Sequence, residues 1–113
     1  MIVEDNPAMR KAIRSVAAHK KDTVIECANG QEAVSRFRDV HPDLILMDIS
    51  MPVLDGIKAA RAIRALDPGA RIVMVSENDS EAFRKASRDA GASAFVPKSD
   101  LFELEQVIQR RSA

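Results

Sequence analysis

Short runs of uninterrupted apolar residues alternate along this chain with longer segments in which apolar side chains recur every three or four positions. Leu44-Ile45-Leu46-Met47 and Ile72-Val73-Met74-Val75 are the clearest runs. Each falls far below the ~20 apolar residues a bilayer crossing needs, and an unbroken apolar run reads as a strand covered on both faces, as in a parallel sheet. Met1-Ile2-Val3, Val24-Ile25-Glu26-Cys27-Ala28 and Ser93-Ala94-Phe95-Val96 read as three more strands, the first short at its start, because such strands usually have about five residues. Between and after them, helical spacing joins Met9, Ala12, Ile13 and Val16; then Ala33, Val34 and Phe37; then Ile57, Ala60 and Ile63; then Ala82, Phe83, Ala86 and Ala90; finally Leu101, Leu104 and Ile108. The fourth helix, with mostly small inward residues, is expected to be the loosest.

Punctuation agrees with this division. Asn6-Pro7 places an N-cap side chain and a first-turn proline before the first helix. Asn29 with Glu32, Asn78 with Glu81 and Asp100 with Glu103 have the spacing of capping boxes. Asp67-Pro68-Gly69 ends the third helix and Gly91 the fourth. Pro97 fits only if the last strand lies at a sheet edge or stops there. Five β-α units with short connections predict an α/β domain over residues 1–113: a single doubly wound, five-stranded parallel sheet of flavodoxin-like order 2-1-3-4-5, with helices on both faces. No repeat, low-complexity segment or interdomain linker interrupts it, and no output domain is expected within these residues.

Composition narrows the function. Lysine plus arginine equals aspartate plus glutamate, 17 against 17, so no global basic field recruits nucleic acid or an anionic membrane. The single Cys27 cannot pair within the chain and reads as core packing in a reducing compartment, and with no signal peptide or membrane span the expected location is cytoplasmic. His19 and His41 fall away from the carboxyl ends of strands and read as surface residues; Arg110-Arg111 reads as a helix C-terminus complementing its dipole.

The chemistry gathers at the strand ends. In this order the first and third strands are neighbours about 4.8 Å apart, so Glu4, Asp5 and Asp48 converge on one cleft. Three carboxylates cannot all ionise there unaided: either some pKa values rise or a hard cation occupies the site, and Mg²⁺ suits one or two carboxylates with water and a phosphate. One such ion together with Lys98 would neutralise the three acids. Ser76 ends the fourth strand, where its hydroxyl could donate to an oxygen on Asp48, and Lys98 ends the fifth with a side chain long enough to reach across. A carboxylate ringed by metal, lysine and hydroxyl suits phosphoryl transfer, with Asp48 as nucleophile and an acyl phosphate as product.

Glu4-Asp5, Asp48-x-x-Met51-Pro52-x-x-Asp55-Gly56, Ser76 and Lys98, each at its own strand end, resemble a response-regulator receiver domain over nearly the whole chain. The resemblance implies that Asp48 accepts phosphate from the phosphohistidine of a histidine kinase or from a small phosphodonor. It implies that Glu4, Asp5, Asp48 and the backbone carbonyl of Ser50 hold Mg²⁺, Asp5 most directly, and that Lys98 pairs with the phosphoryl group. Ser76 and Phe95 would be the switch pair. The fourth helix, last strand and fifth helix would then present a changed surface to an output domain, a downstream effector or a second copy of the chain.

Two positions depart from the family pattern. Glu77 stands where a small residue is usual, adding a carboxylate at the mouth of the site that should slow a small anionic donor. The order Pro97-Lys98-Ser99 lacks the proline that often follows the lysine, so the resemblance gives no ground for a cis peptide after Lys98. Gly91-Ala92-Ser93 and Lys98-Ser99-Asp100 resemble receivers joined to helix-turn-helix outputs, which implies transcription regulation by a longer protein; a stand-alone regulator is the other expectation.

Taken singly, these residues have bland roles: Glu4-Asp5 as a helix-start turn, Ser76 bonding to backbone, Lys98 as a solvated charge, Phe95 as core. A flavodoxin-like cofactor binder would need a hydroxyl- or glycine-rich first loop, but Glu4-Asp5-Asn6-Pro7 repels phosphate. An Asp-nucleophile phosphatase would need a second carboxylate where Ser50 stands. A degenerate receiver acting only as an interaction module would be expected to have lost Asp48, Asp5 or Lys98, and all three are present.

Overall fold

The computed structural model describes residues 1–109. The elements follow as β1 (Ile2–Val3), α1 (Pro7–Ala17), β2 (Glu26–Cys27), α2 (Gly30–Val40), β3 (Ile45–Met47), α3 (Gly56–Leu66), β4 (Ile72–Ser76), α4 (Glu81–Asp89), β5 (Ala94–Pro97) and α5 (Leu101–Gln109). The strands form one parallel sheet in the order β2-β1-β3-β4-β5, as the alternating pattern predicts.

Strand alternation divides the core into two layers. Val3, Ile45, Met47, Ile72 and Met74 pack against Ala33, Val34 and Phe37 of α2 and Ala59, Ala60 and Ile63 of α3, with Phe83 of α4 against the same cluster. Ile2, Leu46, Val73, Val75 and Val96 face the other way, onto Ile13 of α1 and Leu104 and Val107 of α5. Both sides of β3 and β4 are therefore dry, which is why their sequences show no polar alternation. Cys27 lies in the first layer, and burial pushes its thiol up to about 11. No helix among the described residues is long and apolar enough to cross a membrane.

Several local expectations hold in detail. Asn6 caps α1 with Pro7 in its first turn, Asn29 caps α2 by accepting from the Glu32 N–H, and Asp100 Oδ1 accepts from the Glu103 N–H. Pro97 ends β5 on the sheet edge, where no further strand needs its missing N–H. His19 and His41 are exposed; His41 closes α2 in the left-handed region at φ 49°. Every peptide bond among the described residues is trans. The Arg110-Arg111 expectation lies outside the described residues.

Others are corrected. The second strand was expected over Val24–Ala28 but pairs only at Glu26–Cys27, because its neighbour β1 offers just two residues to pair with. The cap of α4 is Ser80, whose Oγ accepts from the Phe83 N–H, while Asn78 instead accepts from the Ser80 N–H. Ala82 is exposed and Ser87 is the buried helical residue: a hydroxyl can face inward here because it donates to the Phe83 carbonyl.

The segment between β3 and α3 is held from two sides. The Gly56 N–H donates to Ile49 O at 2.8 Å, and the Gly30 N–H donates to Leu54 O at 3.0 Å. A Cβ on Gly56 would stand 2.0 Å from the Asp48 carbonyl oxygen, and one on Gly30 would stand 2.2 Å from that of Leu54. Between these clamps the Leu54 N–H bonds back to Pro52 O at 2.8 Å, a three-residue turn that forces Val53 to φ 69°. That conformation is strained for a β-branched side chain, and here the side chain is 78% exposed with little packing to offset it. Replacing Val53 by glycine should therefore stabilise the fold by about 1 kcal/mol, whereas Gly56→Ala should cost about 2–4 kcal/mol by pushing the loop off the Asp48 carbonyl. Thermal or urea unfolding of the two variants checks both signs.

Candidate functional site

Three strand ends set the positions of the polar cluster. The Glu4 N–H donates to Cys27 O, the Asp48 N–H to Val3 O and the Lys98 N–H to Ser76 O, at 3.0, 2.9 and 2.9 Å. The sheet ladder thus fixes each Cα just as its side chain leaves the apolar layers. Glu4 is fully buried and Asp48 is 4% exposed, an uncommon placement for carboxylates unless they are paired.

Their partner is Lys98, whose side chain is 8% exposed. Its Nζ lies 2.6 Å from Glu4 Oε1 and 3.3 Å from Asp48 Oδ2. The first contact is a short ion pair, and with Lys98 as its one partner among the described residues the buried Oε1 still has a lone pair to offer. The other Glu4 oxygen accepts from the Asn6 N–H at 3.1 Å, closing the turn into α1. Asp5 points outward and is exposed, yet ligand oxygens of Glu4, Asp5 and Asp48 all lie within 4.8 Å of one another. The structure divides the two acids into a buried, lysine-paired Glu4 and a solvent-facing Asp5.

Burial raises the pKa of Glu4 against the opposing pull of Lys98, and raises that of Asp48 for the same reason. Lys98 loses solvation too, but its pairing with Glu4 and Asp48 outweighs that loss and its pKa is raised. One ammonium therefore serves two buried carboxylates, leaving the cleft with surplus negative charge that a hard cation would relieve. An oxygen-only donor set with one exposed carboxylate suits Mg²⁺, which keeps several waters.

Ser76 is buried at the end of β4, where its Oγ accepts from the Asn78 N–H at 3.2 Å, a contact within its own loop. Phe95 lies on β5 opposite Met74, half-buried against the first core layer, with the Arg84 guanidinium 4.7 Å above its ring. Glu77 and Ser50 are exposed just beyond β4 and β3. Beside Ser50 a hollow of about 610 Å³ runs between Asp5, Met51, Asp55 and Phe83. A second hollow, about 660 Å³, lies at the opposite ends of the strands between Val24, His41 and Leu44, remote from Asp48. Beside it the Met1 ammonium donates to Leu44 O, and burial lowers its pKa.

Arg10 is a contributor that sequence reasoning overlooked. Its Nη1 donates to the Glu4 carbonyl at 2.8 Å while Nε pairs with Glu26 at 3.0 Å, tying the turn that carries Glu4 and Asp5 to β2. Arg14 and then Arg10 hold the Glu26 carboxyl below its ordinary range. Nothing in the spacing of residues 10 and 26 announces this contact.

A doubly wound sheet with acids after its first and third strands and a lysine after its fifth defines the receiver class of signalling domain. Residues 1–109 match the model of the response regulator receiver domain, and the chain belongs to that family. The chemotaxis protein CheY of Halobacterium salinarum is 36% identical over 98 residues, covering 87% of this chain and 82% of that protein. A protein-glutamate methylesterase/protein-glutamine glutaminase of Methanosarcina mazei is 42% identical over 104 residues, covering 88% of this chain but only 29% of that protein. Among solved structures, a LuxR-family two-component response regulator from Aurantimonas superposes with TM-score 0.89 at 36% identity, covering 98% of this chain and 81% of that one. A Borrelia burgdorferi CheX-CheY-BeF3-Mg complex superposes with TM-score 0.90 at 28% identity, covering 99% and 87%.

Because Asp48 binds a proton more tightly folded than unfolded, its ionisation costs stability above its raised pKa, and that cost fades as pH falls toward the ordinary carboxylate range. Asp48→Asn should therefore melt higher than wild type by about 4 °C at neutral pH without divalent cations, with the gap narrowing as pH falls. Melting curves across pH 4–8 test this; a gap that widens on acidification contradicts the assignment.

Proposed function

We propose that this receiver domain accepts a phosphoryl group on Asp48, and the observation that supports the reading best is the shared Lys98 ammonium between Glu4 and Asp48. A carboxylate oxygen of Asp48 attacks the phosphorus of a histidine kinase phosphohistidine or a small phosphodonor. The P–O bond forms as the P–N or P–O bond of the donor breaks, and the leaving group keeps the electron pair.

This chain's residues do mostly positioning and neutralisation. Lys98, already beside Asp48, pairs with phosphoryl oxygen as charge builds there. Glu4 and the ladder hydrogen bond to Val3 fix the direction of approach, and Gly56 keeps the Asp48 carbonyl side open to the loop. Glu4, Asp5, Asp48 and the Ser50 backbone carbonyl would hold Mg²⁺, which when bound would neutralise the transferring group. The unused acceptor capacity of Glu4 Oε1 fits that donor set.

Ser76 and Phe95 are the switch pair in this reading: the hydroxyl turns to the phosphoryl group and the ring moves inward behind it. The surface of α4, β5 and α5 then changes for an output domain, an effector or a second copy of the chain. With a cytoplasmic kinase as donor, the protein works in the cytoplasm. The LuxR-family likeness supports a transcriptional output, while the CheY likeness supports a stand-alone regulator.

Incubation with Mg²⁺ and a small phosphodonor should add about 80 daltons to wild type and nothing to Asp48→Asn. Omission of the metal should abolish the gain; if wild type never gains this mass, even with a cognate kinase, the chain acts as a partner-binding module instead. Removing the exposed carboxylate in Glu77→Ala should speed transfer from a small anionic donor about twofold at low salt, with the difference shrinking as salt is raised.

A further inference from the structure

The loop from β4 to α4 carries a chain of contacts joining Ser76 to Phe95. Ser76 Oγ accepts from the Asn78 N–H, Asn78 Oδ1 accepts from the Ser80 N–H, and Ser80 Oγ caps α4 at Phe83. From the first turn of that helix, Arg84 Nε donates back to the Asp79 carbonyl at 3.2 Å while its guanidinium covers the Phe95 ring at 4.7 Å. Arg84 is half-buried, so the planar group is braced on one side by the loop backbone and on the other by the ring. It has no carboxylate partner among the described ion pairs. Its orientation is thus set by Asp79 and Phe95.

We infer that Arg84 is a positioning residue that latches the Phe95 ring in its resting orientation and couples its release to Ser76. A swing of the Ser76 hydroxyl toward Asp48 either carries the Asn78 amide with it or breaks that bond. In the first case the segment 77–80 shifts, and in the second it loses its tether to β4, so either way the Asp79 carbonyl that braces the guanidinium is free to move. Once the brace moves, the cation leaves the ring face and the ring is free to turn inward. The inference rests on the switch-pair reading above and adds to it the residue that resists switching.

A ligand that favours one of two states binds more tightly when the other is weakened. Arg84→Met keeps the length and helix propensity of the side chain but removes the cation. With saturating Mg²⁺, it should tighten binding of beryllofluoride, a phosphoryl mimic, roughly two- to fivefold by calorimetry, the size expected of one partly exposed cation–π contact. Arg84→Lys keeps the charge without the planar fork and should restore part of the wild-type affinity. In a Phe95→Leu background Arg84→Met should change affinity by much less, because the latch has lost its ring. As a structural signature, Arg84 side-chain resonances in the free protein should be shifted by the Phe95 ring current and move toward ordinary values with beryllofluoride bound.

The outcomes separate. Wild type that fails to bind beryllofluoride overturns the phosphoacceptor reading and this inference with it. Wild type that binds, with Arg84→Met unchanged or weaker, overturns the latch alone. The same overturning follows if Arg84→Met has its full effect in the Phe95→Leu background.

Discussion

One lysine ammonium shared between two buried carboxylates is the interaction around which the site of this domain is arranged. Removing charges from water is costly, and a single Lys98 cannot repay both Glu4 and Asp48. The fold tolerates the imbalance because the parallel sheet leaves no choice: the ladder of β1, β3 and β5 fixes three Cα positions, and the apolar layers on either side exclude water from the side chains. The cleft is therefore stable but unsatisfied. Burial raises both carboxylate pKa values, and the same cluster of acids with Asp5 could hold a divalent cation.

The backbone after Asp48 shows a second form of stored cost. Gly30 and Gly56 press the loop from β3 to α3 against α2 and the Asp48 carbonyl, with no room for a Cβ at either position. Between them Val53 occupies a conformation it dislikes, exposed to solvent at the rim of the cleft. Strain at such positions persists only when surrounding contacts overdetermine the backbone, and here the two glycine N–H bonds do so. A tightly held Asp48 backbone and a strained neighbouring turn have one cause.

On the other side of the site, rigidity gives way to short-range polar contacts. The segment 77–80 is exposed throughout and held largely by its own side chains, and α4 buries only Ser87 fully within its span. A segment with few apolar contacts is where a two-state change costs least. The family likenesses, to a chemotaxis regulator, a methylesterase and a LuxR-family regulator, show the same domain in proteins of different output. Glu77 and Arg84 both belong to this more loosely held part of the chain.

Much of this was legible in the residues alone. Period and punctuation determined the β-α order, the two-sided burial of β3 and β4, the caps at Asn6, Asn29 and Asp100, and the carriage of Glu4, Asp5, Asp48, Ser76 and Lys98 at strand ends, because these follow from local spacing. What only the tertiary structure decided depends on contacts between residues far apart in sequence. Spacing could not say that Glu4 would be buried and Asp5 exposed, or that β2 would shorten to match β1. Nor could it place Arg10 against Glu26 or Arg84 over Phe95: a long flexible cation reads as solvated until the fold puts a carbonyl or a ring within its reach.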